Sequence, residues 1–101
     1  MKIPKTLRMH GTTFKVVMTH DKNKPHGGAY NWEKRAVYVN DRYHECESIL
    51  LHELLESVMT EDLVRYYGNE GNTEYKFMFN HTEFTRIVTH FYQVLKDNKL
   101  I

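Results

Sequence analysis

The sequence predicts an α+β fold: a small antiparallel-rich sheet packed against a long central helix and a C-terminal helix. Three observations predict it. The first forty residues hold short alternating segments separated by turn residues. Residues 43–60 are rich in apolar side chains at helical spacing. The segment from Asn80 onward opens with a helix-start signal and keeps a helical period almost to the end of the chain.

Taken in order, "LRMHGTTFKVVMTH" reads as two strands around a turn at Gly11–Thr12. "DKNKPHGG" reads as a loop, because Pro25 and the pair Gly27–Gly28 break regular structure. "AYNWEKRAVYVN" reads as a second hairpin, with Val37 and Val39 on one face and Tyr38 on the other. Asn40–Asp41 offers a helix start, and the helix runs from about Tyr43 to Thr60, with room to continue toward Tyr67 and stop at Gly68. "GNEGNTEY" is loop, and "YKFMF" a short strand or extended connector. Asn80 is an N-cap, with Glu83 placed to complete a capping box. The last helix spans His81 to about Asn98, with Lys96 and Lys99 suited to the negative end of its dipole.

With 101 residues, 41% of them hydrophobic and 27% charged, the expectation is one domain over 1–101. A net charge of +1 leaves no electrostatic footprint for nucleic acid or an anionic membrane. Lys2, Lys5 and Arg8 then read as a solvated strand edge. The lone Cys46 cannot form an internal disulfide, which favours a reducing compartment. No apolar run resembles a signal peptide or a membrane span, so the cytoplasm is the expected location.

The chemistry concentrates in "LLHELLE", residues 50–56. At about 100° per residue, His52 and Glu56 share one helix face, with Glu53 near 100° from His52. Leu50, Leu51, Leu54, Leu55, Val58 and Met59 cover the opposite arc. Two donors at i and i+4 can reach one ion, and the residue after the first can take a proton from water there. His52 and Glu56 are thus candidate metal ligands and Glu53 a candidate general base. The same pattern is also met by an ordinary surface His–Glu pair.

A third ligand must come from elsewhere. On the last helix, with His81 at zero, Val88, Tyr92 and Leu95 fall within about 40° and His90 near 180°. This places His81 at the opening of the buried face and His90 in solvent. A neutral imidazole at a helix start suits metal ligation, and equally suits a semi-buried capping histidine. His52, Glu56 and His81 together would give the His₂Glu composition of catalytic zinc sites.

Several segments resemble the short zincin-like metallopeptidases of phages and mobile elements, distant relatives of ImmA/IrrE-type and SprT-like minimal zinc proteases. "KIPKTLRMHGTTFKVV" resembles their first hairpin, "GGAYNWEKRAVYVN" their edge strand and the strand entering the active helix, "ESILLHELLESVM" their HExxH helix, and "FYQVLKDNKLI" their closing helix. The resemblance implies a minimal zincin-like fold, a Zn2+ cofactor, His52 as first ligand and Glu53 as catalytic glutamate. Glu56 stands where the family has its second histidine. Relatives carry a glutamate ligand on the last helix; here the matching position is Thr85, with His81 one turn earlier, so a Glu-for-His and His-for-Glu exchange is the expectation. The resemblance also implies that an extended peptide pairs with an edge strand, with Gly28, Ala29 and Tyr30 as substrate-binding residues. Tyr30 and Trp32 are open to a second reading as core or hairpin aromatics. His44, Tyr66, Tyr67 and Tyr75 could each stabilise an oxyanion, and none is singled out.

Two functions follow as expectations. One is a zinc metallopeptidase acting on a peptide or protein, such as an intracellular regulator, in the cytoplasm of a host cell if the gene is phage-borne. The other is an inactive zincin-like protein that works by binding other proteins.

Overall fold

A computed structural model describes residues 1–20, 27–43, 45–67 and 74–101. Eight elements follow in order: β1 (Thr6–Met9), β2 (Thr12–Thr19), β3 (Gly28–Asn31), β4 (Ala36–Asn40), α1 (Cys46–Glu61), β5 (Arg65–Tyr67), β6 (Tyr75–Phe77) and α2 (His81–Asp97). The architecture is α+β, as the sequence predicts. A mixed four-stranded sheet in the order β1-β2-β4-β3 carries two helices and a separate two-stranded sheet, β5-β6.

β1 and β2 form a hairpin in which Met9 faces Thr12. Its two turn residues, His10 and Gly11, both have positive φ, at 53° and 76°. A two-residue loop with both central residues left-handed matches the twist of the flanking strands, and it sits one residue earlier than the sequence suggests. β3 and β4 form the second hairpin, with Asn31 opposite Ala36. The two hairpins join through a parallel pairing of β2 with β4, in which Val16 faces Val37 and Thr19 faces Asn40. Parallel pairing is a long-range property that no local turn signal specifies. It leaves β3 at the sheet edge.

Val37 and Val39 share one face, as predicted, and that face is the core, with Tyr38 half-buried on the opposite one. They meet Leu7, Met9 and Phe14 from the first hairpin, Leu50, Leu54 and Val58 from α1, and Ile87 and Val94 from α2. The core therefore lies between the sheet and the helices.

α1 differs from the sequence expectation at both ends. Asn40 does not start it: Asn40 closes β4, buried, with its N–H donating to Gly27 O at 2.6 Å. The helix begins at Cys46, after Glu45, which makes no side-chain cap. Nor does it continue toward Tyr67. Leu63 adopts φ 61°, and the Val64 N–H returns to Met59 O at 3.0 Å. A left-handed residue followed by such a back-bond closes a helix. It exposes Leu63 and turns Val64 into the core. The chain then pairs as β5 with β6, Tyr67 facing Tyr75. The expected Gly68 stop and the rest of the "GNEGNT" loop fall among residues 68–73, outside the described residues.

α2 starts as predicted. The Glu83 N–H donates to Asn80 Oδ1 at 2.9 Å and the Asn80 N–H to Glu83 Oε1 at 3.2 Å. Its far end is tied to β1, because the Asn98 amide takes the Arg8 N–H at 2.6 Å and donates to Arg8 O at 2.8 Å. The buried face of α2 is not the predicted one. Ile87 and Val94 are buried, while Val88 is 49% and Tyr92 52% exposed. Ile87 and Val94 lie about 220–240° around from His81. That seam puts His90 at its border, half-buried, and His81 in solvent. The apolar arc of α2 is wider than the surface available to cover it, so periodicity alone could not say which part is covered.

Candidate metal centre

α1 sets the geometry. His52 and Glu56, one turn apart, bring Nε2 and Oε2 to 3.1 Å. Glu53 Oε1 lies 3.9 Å from the same nitrogen. Among the described residues, His52, Glu53 and Glu56 are the group of three or more potential donors whose ligand atoms all lie within 4.8 Å of one another. One imidazole and two carboxylates so placed could hold a metal ion.

Burial differs sharply across the three. The His52 side chain is 68% exposed and that of Glu53 only 9%. The cause is the tilt of α1 onto β3. A Cβ on Gly28 would stand 2.7 Å from Ile49 Cγ2, 2.8 Å from Tyr38 O and 3.2 Å from Glu53 Cγ. The missing side chain of Gly28 therefore lets α1 approach the sheet and presses Glu53 against it. The space a side chain would need at Gly28 is taken by the protein's own helix.

Burial, and then the neighbouring Glu56 carboxylate, raise the Glu53 pKa to about 7, against smaller opposing effects from His52 and Arg65. Removing a carboxylate from water penalises its charged form, and a like charge nearby adds to the penalty. Glu53 is thus poised to take up or release a proton near neutrality.

Arg65, which sequence reasoning missed, completes the cluster. Its Nη1 lies 3.1 Å from Glu56 Oε1, and its guanidinium stacks 3.9 Å above the ring of Tyr75. Glu56 is therefore shared between a histidine and an arginine. Residues 61–67 read as a possible helix extension, so nothing marked Arg65 as a partner. The aromatic pair Tyr66–Tyr67 after Val64, a strand-like composition, was the available signal.

The cluster opens onto cavities that share walls. One of 230 Å³ is lined by Gly28, Ala29, Tyr30, Glu53, Glu56, Arg65 and Tyr75. Another, of 420 Å³, extends past His52 and Ser48. A third, of 350 Å³, extends past Trp32 and Glu61. Gly28, Ala29 and Tyr30 thus stand beside the cluster, on a strand that, among the described residues, pairs with β4 alone in its sheet. Tyr30 also stacks on Phe14 at 5.7 Å, so its ring serves the core as well.

His81 is not brought to the group. It is exposed at the first residue of α2, with its ring 6.3 Å from that of Phe84. Thr85 turns back on its own helix, donating to His81 O at 3.0 Å. Of the oxyanion candidates, Tyr75 lines the cleft and Tyr66 is half exposed. His44 and the Tyr67 side chain lie outside the described residues.

No protein-family model, no curated protein and no solved structure matches this chain. Among the described residues, no helix is long and apolar enough to cross a membrane.

Proposed function

We propose that the protein is a zincin-like, metal-dependent hydrolase of peptide bonds. His52 and Glu56 would hold the ion, and Glu53 would act as general base. The observation that carries this reading is the grouping of three potential donors, His52, Glu53 and Glu56, along one cavity beside an edge strand. The donor set fits a cation for a second reason. Burial and the neighbouring Glu56 carboxylate both disfavour a charged Glu53, and a divalent charge would relieve this. One imidazole with carboxylates suits zinc among other divalent metals.

A bound ion would supply water activation and carbonyl polarisation. The chain supplies the rest. Glu53 would accept a proton from the attacking water and return it to the leaving amine. The free edge of β3 offers backbone groups to an extended substrate, with Gly28, Ala29 and Tyr30 alongside the reacting bond. His81 has no part in this arrangement. With two side-chain ligands rather than three, the ion would be weakly held and would have to be added back after purification.

A second reading, a binding protein without chemistry, is favoured by one observation: the His52–Glu56–Arg65 array already balances much of its own charge. Elemental analysis after zinc dialysis, on protein purified without a metal column, separates the two. The hydrolase reading expects zinc in the wild type, loss of zinc in His52→Ala and Glu56→Ala, and no loss in His81→Ala. It expects Glu53→Gln to keep zinc but fail to cleave a denatured protein. A wild type that takes up no zinc favours the binding protein.

A further inference from the structure

We propose that the protein chooses the bond it cuts by a large apolar side chain flanking that bond, such as leucine, methionine or phenylalanine, held in a cavity between α1 and the segment entering α2. The inference rests on the hydrolase reading and adds to it the class of substrate. The cavity, of 340 Å³, is lined by His52, Leu55, Glu56, Met59, Phe77 and Phe79.

Helical spacing sets its position. At about 100° per residue, Leu55 and Met59 flank the His52–Glu56 pair on one side, and Ile49 and Glu53 flank it on the other. Ile49 and Glu53 are the side chains that come against Gly28 of β3. The cavity therefore lies across the His52–Glu56 pair from the edge strand. A peptide aligned with β3, with its reacting carbonyl over that pair, reaches the cavity with a side chain beside the reacting bond.

The walls are already in place. Leu55 and Met59 pack on the core. Phe77 and Phe79 both line the cavity although both are exposed. Their segment is anchored, because the Met78 N–H between them donates to Val64 O at 2.9 Å. Phe79 also stacks on Phe84, with ring centroids 6.1 Å apart.

The lining selects the occupant. Among the described residues that line the cavity, His52 and Glu56 are the polar ones, and the other four side chains are apolar. A charged or amide side chain would give up water there without gaining a partner. An aliphatic or aromatic one leaves water favourably and meets two aromatic rings and a methionine sulfur. A pocket of this kind separates leucine from alanine by on the order of a hundredfold.

The test uses peptides made by cutting denatured proteins at lysine, incubated with the zinc-loaded protein, with the new ends read by mass spectrometry. Leucine, methionine or phenylalanine should flank most cuts, on one fixed side. Replacing that residue by alanine in one such peptide should lower kcat/KM about a hundredfold. Phe79→Ala, which removes an exposed wall, should shrink that ratio to less than about tenfold at unchanged zinc content. A second measurement needs no turnover. In zinc-loaded Glu53→Gln labelled at its methionine methyl groups, the leucine peptide should shift the Met59 resonance and the alanine peptide should not. The Met18 resonance, from β2, should respond to neither. Cleavage without an apolar preference, a ratio untouched by Phe79→Ala, or an unmoved Met59 signal overturns this inference and leaves the hydrolase reading standing. Cleavage of no peptide at all overturns both.

Discussion

Midway along α1, His52, Glu53 and Glu56 face an open cleft; toward its end, Ser57 and the C-cap Asp62 face His10 and His90. Both groups mix histidine with acids, and they are built in opposite ways. At the first, Glu56 and Glu53 place two carboxylates side by side, and Arg65 offsets one. At the second, charge is matched and packed away. Ser57 donates to Leu54 O at 2.7 Å, so its oxygen accepts from His10 Nε2 at 3.3 Å. That sets the tautomer of His10 and leaves Nδ1 buried and, among the described residues, without a hydrogen-bond partner. The His90 ring stands 5.2 Å from that of His10, edge to face, and its Nδ1 lies 3.4 Å from Asp62. Burial lowers the pKa of His10, outweighing the nearby Glu61 and Asp62. The same desolvation thus acts on an acid in one place and a base in the other. At the cleft it creates a proton acceptor near neutral pH; in the closed cluster it keeps a neutral ring that pins the β1–β2 turn to both helices.

The largest test of this contrast is Glu53→Gln in the metal-free protein. Glu53 has a folded pKa of about 7, above the ordinary 4.5. Between those values the folded chain holds a proton that the unfolded chain has released, so stability falls as pH rises through that window. The variant removes the penalty. It should be more stable than the wild type by about 3 kcal/mol above pH ~7, and equal to it below pH ~4.5, as read by denaturant titration at both ends.

Arg65→Met should cost about 2 kcal/mol in the metal-free protein, because it leaves Glu56 partly buried beside Glu53 without its cation. Zinc should then raise the melting temperature of this variant more than that of the wild type. An equal zinc shift would mean that Arg65 and the ion do not serve the same charge.

Asn80→Ala serves as a control that touches neither cluster. Loss of the capping box should cost about 1 kcal/mol at any pH near neutral, without changing zinc uptake.

The smallest effect belongs to His10. Its folded pKa lies below 6.5, so its contribution is intact above that value and is lost as pH falls through the folded pKa. His10→Asn, which tolerates the left-handed turn, should flatten stability against pH on the acid side while leaving the Glu53 window unchanged. A shift in both windows would show that the two clusters are coupled through α1.

How much of this was legible beforehand follows the range of the interaction. Asn80 and Glu83 announce the start of α2 because a capping box is complete within four residues. His52 and Glu56 announce their pairing because helical pitch alone brings them together. Val37 and Val39 announce the core face of β4 because a strand alternates. The end of α1 was missed because Leu63, an unlikely residue for a left-handed turn, supplies the stop that a glycine would have advertised. His52, Glu53 and Glu56 share one place in the structure as helical spacing requires, whereas His81 was drawn in by an apolar arc that only packing could divide.

The sequence by itself determined the two hairpins, the body of each helix and the His-Glu-x-x-Glu stripe, since each depends on neighbours a turn or a pleat away. Only the tertiary structure decided that β2 and β4 run parallel, that Arg65 meets Glu56, that His90 and not His81 borders the core, and that Glu53 loses its water against Gly28. Those outcomes depend on which surfaces cover one another, and desolvation, which sets the charge of a buried group, exists only once they do.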